Sequence, residues 1–266
     1  MTPRKTWQGL KSCSMGEINA WDQVWKDFPT GGPLHGLGEF LSRRAELKRL
    51  VVAEIFRGTR VPPRGTVLEA GCGTGSVLGL LAEEGFRVVG VDLSAAALVH
   101  AASHSGELAV ATVTSLPFAD GTFDLVYSTG VLDLLDDKDL SRAVGEALRV
   151  TSPGGRIVLI TASPCWLHRR IMVFLERRKR WRYGPKREIE SLSGIVLGHR
   201  PDALVTERGR GFALQLRFLV YLVEHRPFLR RLAHGLFMLV SMLLWPLNTL
   251  PGMVLVTTVQ LPIEAR

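Results

Sequence analysis

The chain has 266 residues, 46% of them hydrophobic and 22% charged, a balance that excludes a mainly disordered chain and suffices for a sizeable core. Three cysteines, Cys13, Cys72 and Cys165, show no CxxC spacing, which excludes a disulfide framework and a paired-cysteine zinc site and points to a reducing, cytoplasmic compartment. The net charge of +8 suits an acidic substrate, a nucleic acid or an anionic membrane surface as partner.

The first residues, MTPRKTWQGLKSCSMGEINAW, are basic but lack the apolar stretch of a signal peptide. Trp21, Val24, Trp25 and Phe28 recur at helical spacing until PTGGP interrupts them. Phe40, Leu41, Leu47, Leu50 and Val51 predict a second helix over 37–56, closed by Pro62-Pro63. From Thr66 the pattern changes. Apolar runs at 66–70, 87–92, 107–112, 123–128 and 155–161 alternate with the helical segments VLGLLAEEG, SAAALVHAA and LSRAVGEALRV. Continuous β-branched runs predict strands covered on both faces, hence a parallel sheet of βαβ units. A short strand is predicted near Ala203–Thr206 and a last one over 253–261.

Chemistry concentrates in VLEAGCGTGSVLGLLAEEG (67–85). A strand ends near Glu69, glycines follow at Gly71, Gly73 and Gly75, and a helix opens at once. Such a turn lets backbone approach a ligand, and the helix start offers free N–H groups. About 20 residues on, the next strand ends in Asp92, where a carboxylate accepts hydrogen bonds from ribose hydroxyls. The glycines read GxGxG, with Ser76 in place of the third glycine of a dinucleotide fingerprint. Glu69 would repel a pyrophosphate and suits a cofactor with a cationic centre.

These residues resemble a class I S-adenosylmethionine-dependent methyltransferase. SLPFADGTFDLVYSTGVLDLL (115–135) and LRVTSPGGRIVLIT (148–161) carry the likeness further, over about 66–161. The resemblance implies a Rossmann-like, doubly wound α/β fold with a mostly parallel seven-stranded sheet and an antiparallel last strand. It implies an N-terminal helical lid at 1–63, a cofactor-binding core at 64–162, a basic and apolar helical cap insertion at 163–252, and the last strand within 253–266. It implies that Glu69, Gly71 and Gly73 meet the amino-acid end of S-adenosylmethionine while Gly75 shapes the turn. Asp92 would hold the ribose and Leu93 would lie against the adenine. Thr112 and Val113 stand where the family places an adenine-contacting Asp and its successor, so Thr112 is a departure. Ser128 would face the methionine portion. Asp133, in VLDLL where the family often has His or Glu, is the one acid–base candidate, or else a helix-start residue near the dipole. No metal site is implied, and a dedicated base is not obligatory for methyl transfer.

Two segments stay open in meaning. HRRIMVFLERRKRWRYGPKR (168–187) interleaves nine basic residues with Ile171, Met172, Phe174 and Leu175. It reads as a solvated helix face, an anionic membrane contact or, less favoured, a nucleic-acid surface. The interval 232–250 is free of Asp, Glu, Lys and Arg but is interrupted by Pro246, too short for a spanning helix. It reads as a cap over the substrate pocket or as a helix dipping into the membrane interface. The expected function is methyl transfer to a small, hydrophobic or lipid-like acceptor, with a membrane-embedded lipid or quinone as one alternative. A non-catalytic scaffold of methyltransferase fold is an alternative of another class.

Overall fold

The central apolar runs form strands that are covered on both faces. In the computed structural model, the described residues are 21–22, 52–57, 65–103, 107–165, 169–170, 173–174, 177, 187–211, 236, 240 and 243–263. Strand β1 (Thr66–Ala70) leads to helix α1 (Ser76–Glu83), β2 (Arg87–Asp92) to α2 (Ala95–Ala101), and β3 (Glu107–Val110) to β4 (Phe123–Thr129). A 3₁₀ turn (Leu132–Leu134) precedes α3 (Asp137–Val150), which runs directly into β5 (Thr151–Ala162). Then come α4 (Ser193–His199), β6 (Leu204–Arg210), a 3₁₀ turn (Trp245–Thr249) and β7 (Val254–Gln260).

The seven strands lie in the order β3-β2-β1-β4-β5-β7-β6. Strands β1 to β5 pair in parallel, and β7 runs antiparallel to both of its neighbours. This is the expected Rossmann-like, doubly wound architecture with a reversed last strand. One face of the sheet, through Leu68, Val126, Ile157 and Val259, packs on Leu140, Val144 and Leu148 of α3 and on Val196 of α4. The other face, through Val67, Leu125, Val158 and Val256, packs on Val77, Leu78 and Leu81 of α1, on Leu98 of α2 and on Ile55.

Helix α3 shows why its sequence is helical. Its buried residues Leu140, Ala143, Val144, Ala147 and Leu148 recur at spacings of three and four. Asp136 caps it, accepting from the Asp139 N–H at 2.8 Å. Arg149 in the last turn holds the preceding loop through Glu146, Asp120 and the Leu116 and Phe118 carbonyls.

Three boundaries differ from the sequence reading. Strand β3 stops at Val110, because Thr112 makes a local bridge to Ser115. Strand β5 begins at Thr151, since the TSPGG segment stays extended and its register slips between Phe123 and Leu125. Strand β6 runs on to Arg210, at the sheet's edge, where alternate residues face solvent and charged side chains obscure the apolar pattern. Of the expected N-terminal helices, 21–22 and 52–56 are helical. The rest of both, most of the basic run and most of the 212–242 stretch lie outside the described residues. Cys13 does too.

Glu207 joins the edge strand to α4. Its carboxylate accepts from the Leu192 N–H (2.7 Å), the Ser191 hydroxyl (2.7 Å), the Thr257 hydroxyl (2.9 Å) and the Ser193 hydroxyl (3.2 Å). Burial alone would raise its pKa, but these donors outweigh burial and hold it below its ordinary value of 4.5. A depressed carboxylate stabilises the fold above its unfolded pKa, and that contribution is lost as pH falls through the folded value. Glu207→Gln should therefore cost about 1–3 kcal/mol at neutral pH. In urea titrations at a series of pH values, the gap to the wild type should stay constant above about pH 6 and shrink at lower pH, as the folded wild-type carboxyl takes up its proton.

Candidate active site

The carboxyl ends of β1, β2 and β4 meet around the glycine turn. Gly71, Gly73 and Gly75 all have positive φ, at 83°, 53° and 67°. The N–H groups of Gly71 and Cys72 both donate to the Val91 carbonyl at 2.8 Å, which folds the turn back over β2. Gly75 stands at the N-cap of α1 without a side-chain cap hydrogen bond, so no capping side chain occupies the helix start. Helix α2 contrasts with it, because Ser94 caps that helix by accepting from Ala97 N–H at 3.2 Å.

Asp92 closes the arrangement. One carboxylate oxygen accepts from Gly73 N–H at 2.8 Å and the other from Ser94 N–H at 2.9 Å. Burial raises its pKa, the N–H donors of Ser94, Gly73 and Leu93 oppose that, and the charge of Asp22 adds to the rise. Glu69 is 5% exposed and pairs in register with Tyr127 on β4. Burial and then the Glu69 charge push the Tyr127 phenol up. Burial, followed by Glu69 and Asp92, likewise raises the Cys72 thiol, which stays protonated at neutral pH. The site therefore carries a negative field that favours a cation.

The other expected site residues fall around this centre in different ways. Leu93 follows Asp92 and is half-buried. Thr112 is buried beyond the end of β3, its hydroxyl 2.9 Å from that of Thr114, and Val113 packs into the core cluster. Ser128 donates its hydroxyl to the Ala70 carbonyl at 2.7 Å, clamping β4 to the start of the glycine turn. Asp133 sits in the 3₁₀ turn after β4 and is 1% exposed. Asp133 is the acidic residue in the first turn of that 3₁₀ helix, and Asp136 caps α3, which follows it. The backbone carbonyl of Asp133 accepts from Arg187 N–H at 2.9 Å, and the Arg187 side chain reaches the Leu135 carbonyl and Asp137. The end of the basic segment thus docks on the loop that carries Asp133.

Asp22 escaped the sequence reading. It accepts from the Ser94 hydroxyl at 2.5 Å and from Ala96 N–H at 3.3 Å, so the N-terminal segment touches the start of α2 beside Asp92. An acidic residue next to Trp21 in an apolar helical pattern was its only signal.

With this geometry in view, the known proteins most similar to the chain become informative. Residues 68–159 match the family described as a methyltransferase domain. EEF1A lysine methyltransferase 4 of Mus musculus is 30% identical, over 64% of this chain and 70% of its own length. The chain belongs to the S-adenosylmethionine-dependent methyltransferase family. Tocopherol O-methyltransferase of Arabidopsis thaliana is 33% identical over 43% of this methyltransferase chain, and the match spans 34% of the plant protein. The match to malonyl-[acyl-carrier protein] O-methyltransferase of Erwinia billingiae, 36% identical over 48% of the chain, spans 51% of that protein. The chain thus spans a third to a half of the length of these two relatives. Among solved structures, a methyltransferase of Thermotoga maritima superposes with a TM-score of 0.56 at 16% identity, covering 91% of this chain and 98% of its own. The cyclase SpnF superposes with a TM-score of 0.54 at 18% identity, covering 82% of this chain and 81% of its own. At such identities the likeness speaks for the fold alone.

Gly71 has no room for a side chain. A Cβ there would lie 2.3 Å from Val131 Cγ2, at a φ of 83° that other residues rarely adopt. Gly71→Ala should lose about 2–4 kcal/mol in urea denaturation, from steric overlap and backbone strain together. Adding Val131→Ala should recover roughly half, because it relieves the overlap and leaves the strain.

Proposed function

We propose that this chain transfers a methyl group from S-adenosylmethionine to a small, hydrophobic or lipid-like acceptor. The observation that carries the cofactor assignment is the joint placement of the uncapped α1 start, the glycine turn and Asp92 at the carboxyl ends of the strands. In this reading Glu69, Gly71 and Gly73 receive the cationic amino-acid end, and Gly75 shapes the turn. Asp92 accepts from the ribose hydroxyls, while Leu93, Thr112 and Val113 flank the adenine. Ser128 acts by fixing the Ala70 carbonyl, and Asp133 orients the acceptor. S-adenosylmethionine supplies an electrophilic methyl on a sulfonium. The chain's own contribution is to hold donor and acceptor in line and exclude water.

The acceptor class is supported by relatives. A demethylmenaquinone methyltransferase of Beutenbergia cavernae is 35% identical over 54% of the chain, and a 2-methyl-6-phytyl-1,4-hydroquinone methyltransferase of Synechocystis is 35% identical over 37%. Their named substrates are apolar ring compounds. A scaffold role is disfavoured because Glu69, the glycines and Asp92 are intact and assembled.

Calorimetric titration with S-adenosylhomocysteine tests the cofactor site. Saturable heat is expected, and Asp92→Ala should weaken it about 10- to 100-fold through the lost charged hydrogen bonds. No heat in the wild type would favour the scaffold. Label from methyl-labelled S-adenosylmethionine should appear in alkylated hydroquinones extracted into organic solvent. Label confined to lysine-containing peptides would overturn the acceptor class.

A reversible contact with an anionic membrane surface is the second part of the reading. It is supported by exposed Leu236, Leu243 and Leu250 in the apolar segment and by Val173 and Phe174 exposed beside Arg169 and Arg170. No helix among the described residues is long and apolar enough to cross a membrane. Co-sedimentation should occur with vesicles containing phosphatidylserine and fade in 1 M salt, where the Debye length is about 3 Å. Equal absence from anionic and neutral vesicles would sink it.

A further inference from the structure

A cleft of about 320 Å³ opens between the 52–57 segment and the β5-β7-β6 edge of the sheet. It lies away from the glycine turn. Arg156, on its wall, is in register with Leu125 on β4, and β1 pairs Leu125 with Val67, four residues before Gly71. At strand spacings of about 3.3 Å per residue and 4.8 Å per strand, that is ~13 Å down the sheet and ~10 Å across it.

The lining is cationic. Arg57, Arg156 and Arg208 face it with Thr206 and Thr258, and Glu54 is the one carboxylate among the lining residues. Glu54 is already committed, lying 2.9 Å from Arg210 and 3.3 Å from Arg57. Arg156 is 8% exposed, yet among the described residues its Nε has no hydrogen-bond partner. Its Nη2 makes a long contact with the Glu54 carbonyl, at 3.5 Å. A guanidinium is poorly placed in such a position unless something satisfies its fork. Arg208, solvent-exposed on β6, points the same way from the neighbouring strand pair and has no carboxylate partner among the described residues. Burial lowers the Arg156 pKa from its ordinary value, the charge of Glu54 opposes that, and the charge of Arg208 adds to it. Glu54 is shared with Arg210 and Arg57, so it offsets the burial of Arg156 only in part.

We propose that this cleft binds a phosphate group, held between the Arg156 and Arg208 guanidiniums with the Thr206 and Thr258 hydroxyls as further donors. Two guanidiniums not matched by carboxylates of their own suit a dianion, and their planar forks match phosphate oxygens in pairs. The volume takes a phosphate and part of what it is attached to. The phosphate is either free or a lipid headgroup, and the two sources are separable.

The test measures thermal unfolding of the whole protein in inorganic phosphate against sodium chloride of equal ionic strength. It is run in parallel with co-sedimentation on phosphatidylcholine vesicles with and without phosphatidic acid. Arg208→Gln is the main variant, because Arg208 is solvent-exposed on an edge strand and its loss leaves the core intact. Arg156→Gln is the second. A saturable stabilisation by phosphate, weakened about tenfold or more in Arg208→Gln, supports the site with a free ligand. Binding confined to phosphatidic acid vesicles and lost in Arg208→Gln supports it with a headgroup. Phosphate and chloride acting alike without vesicle binding, or responses equal in wild type and Arg208→Gln, overturn it. S-adenosylhomocysteine titration of Arg208→Gln should be unchanged, which keeps this site's failure separate from that of the cofactor site.

Discussion

The carboxylate of Asp92 is the constraint on which the arrangement at the strand ends depends. It accepts from Gly73 on one side and Ser94 on the other, so one side chain at the end of β2 fixes both the loop after β1 and the start of α2. Burial works against its charge, and each N–H donor works for it. A half-buried carboxylate close to the buried Glu69 works against the fold, and its N–H donors offset that in part.

The sheet positions everything else around that point. Parallel strands β1, β2 and β4 bring their carboxyl ends to one rim, and the Ser128 hydroxyl locks β4 to the Ala70 carbonyl there. Beyond β5 the direction reverses, and β7 inserts between β5 and β6. This reversal places Arg156, Arg208 and Thr258 on neighbouring strands at the far edge. The ion pair between Glu54 and Arg210, nearly buried on both sides, ties the N-terminal helical segment to the same edge. Removing one partner of such a pair leaves an uncompensated charge, so the segment's attachment is specific in register.

Much of this was legible in the amino acids. Continuous apolar runs with no alternation mark strands covered on both faces, and every one of those runs became a strand of the parallel core. Glycines at fixed spacing between a strand and a helix announced a tight turn with close backbone approach, and Gly71, Gly73 and Gly75 all adopt positive φ there. The edge strand β6 was half legible, because Glu207, Arg208 and Arg210 look like loop residues until an edge position explains them. Asp133 carried an ambiguity that composition could not resolve, since VLDLLDD offers three acids within reach of the helix start. In the fold, Asp136 caps α3 and Asp133 lies in the first turn of the 3₁₀ helix before it.

Local chemistry was therefore determined by the sequence alone: the strand–glycine turn–helix unit, the acid at the end of the second strand, and the alternation that predicts a parallel sheet of βαβ units. Each depends on residues close together in the chain, so each leaves a local pattern. Only the tertiary structure decided which distant groups meet. Asp22 joins Ser94 across about 70 residues of chain, Arg187 docks on the Asp133 loop, and Glu54 meets Arg210 across 156 residues of chain. Such pairings are set by sheet order and by the packing of helices on it. They leave no spacing in the sequence, because long-range contacts carry no period to read.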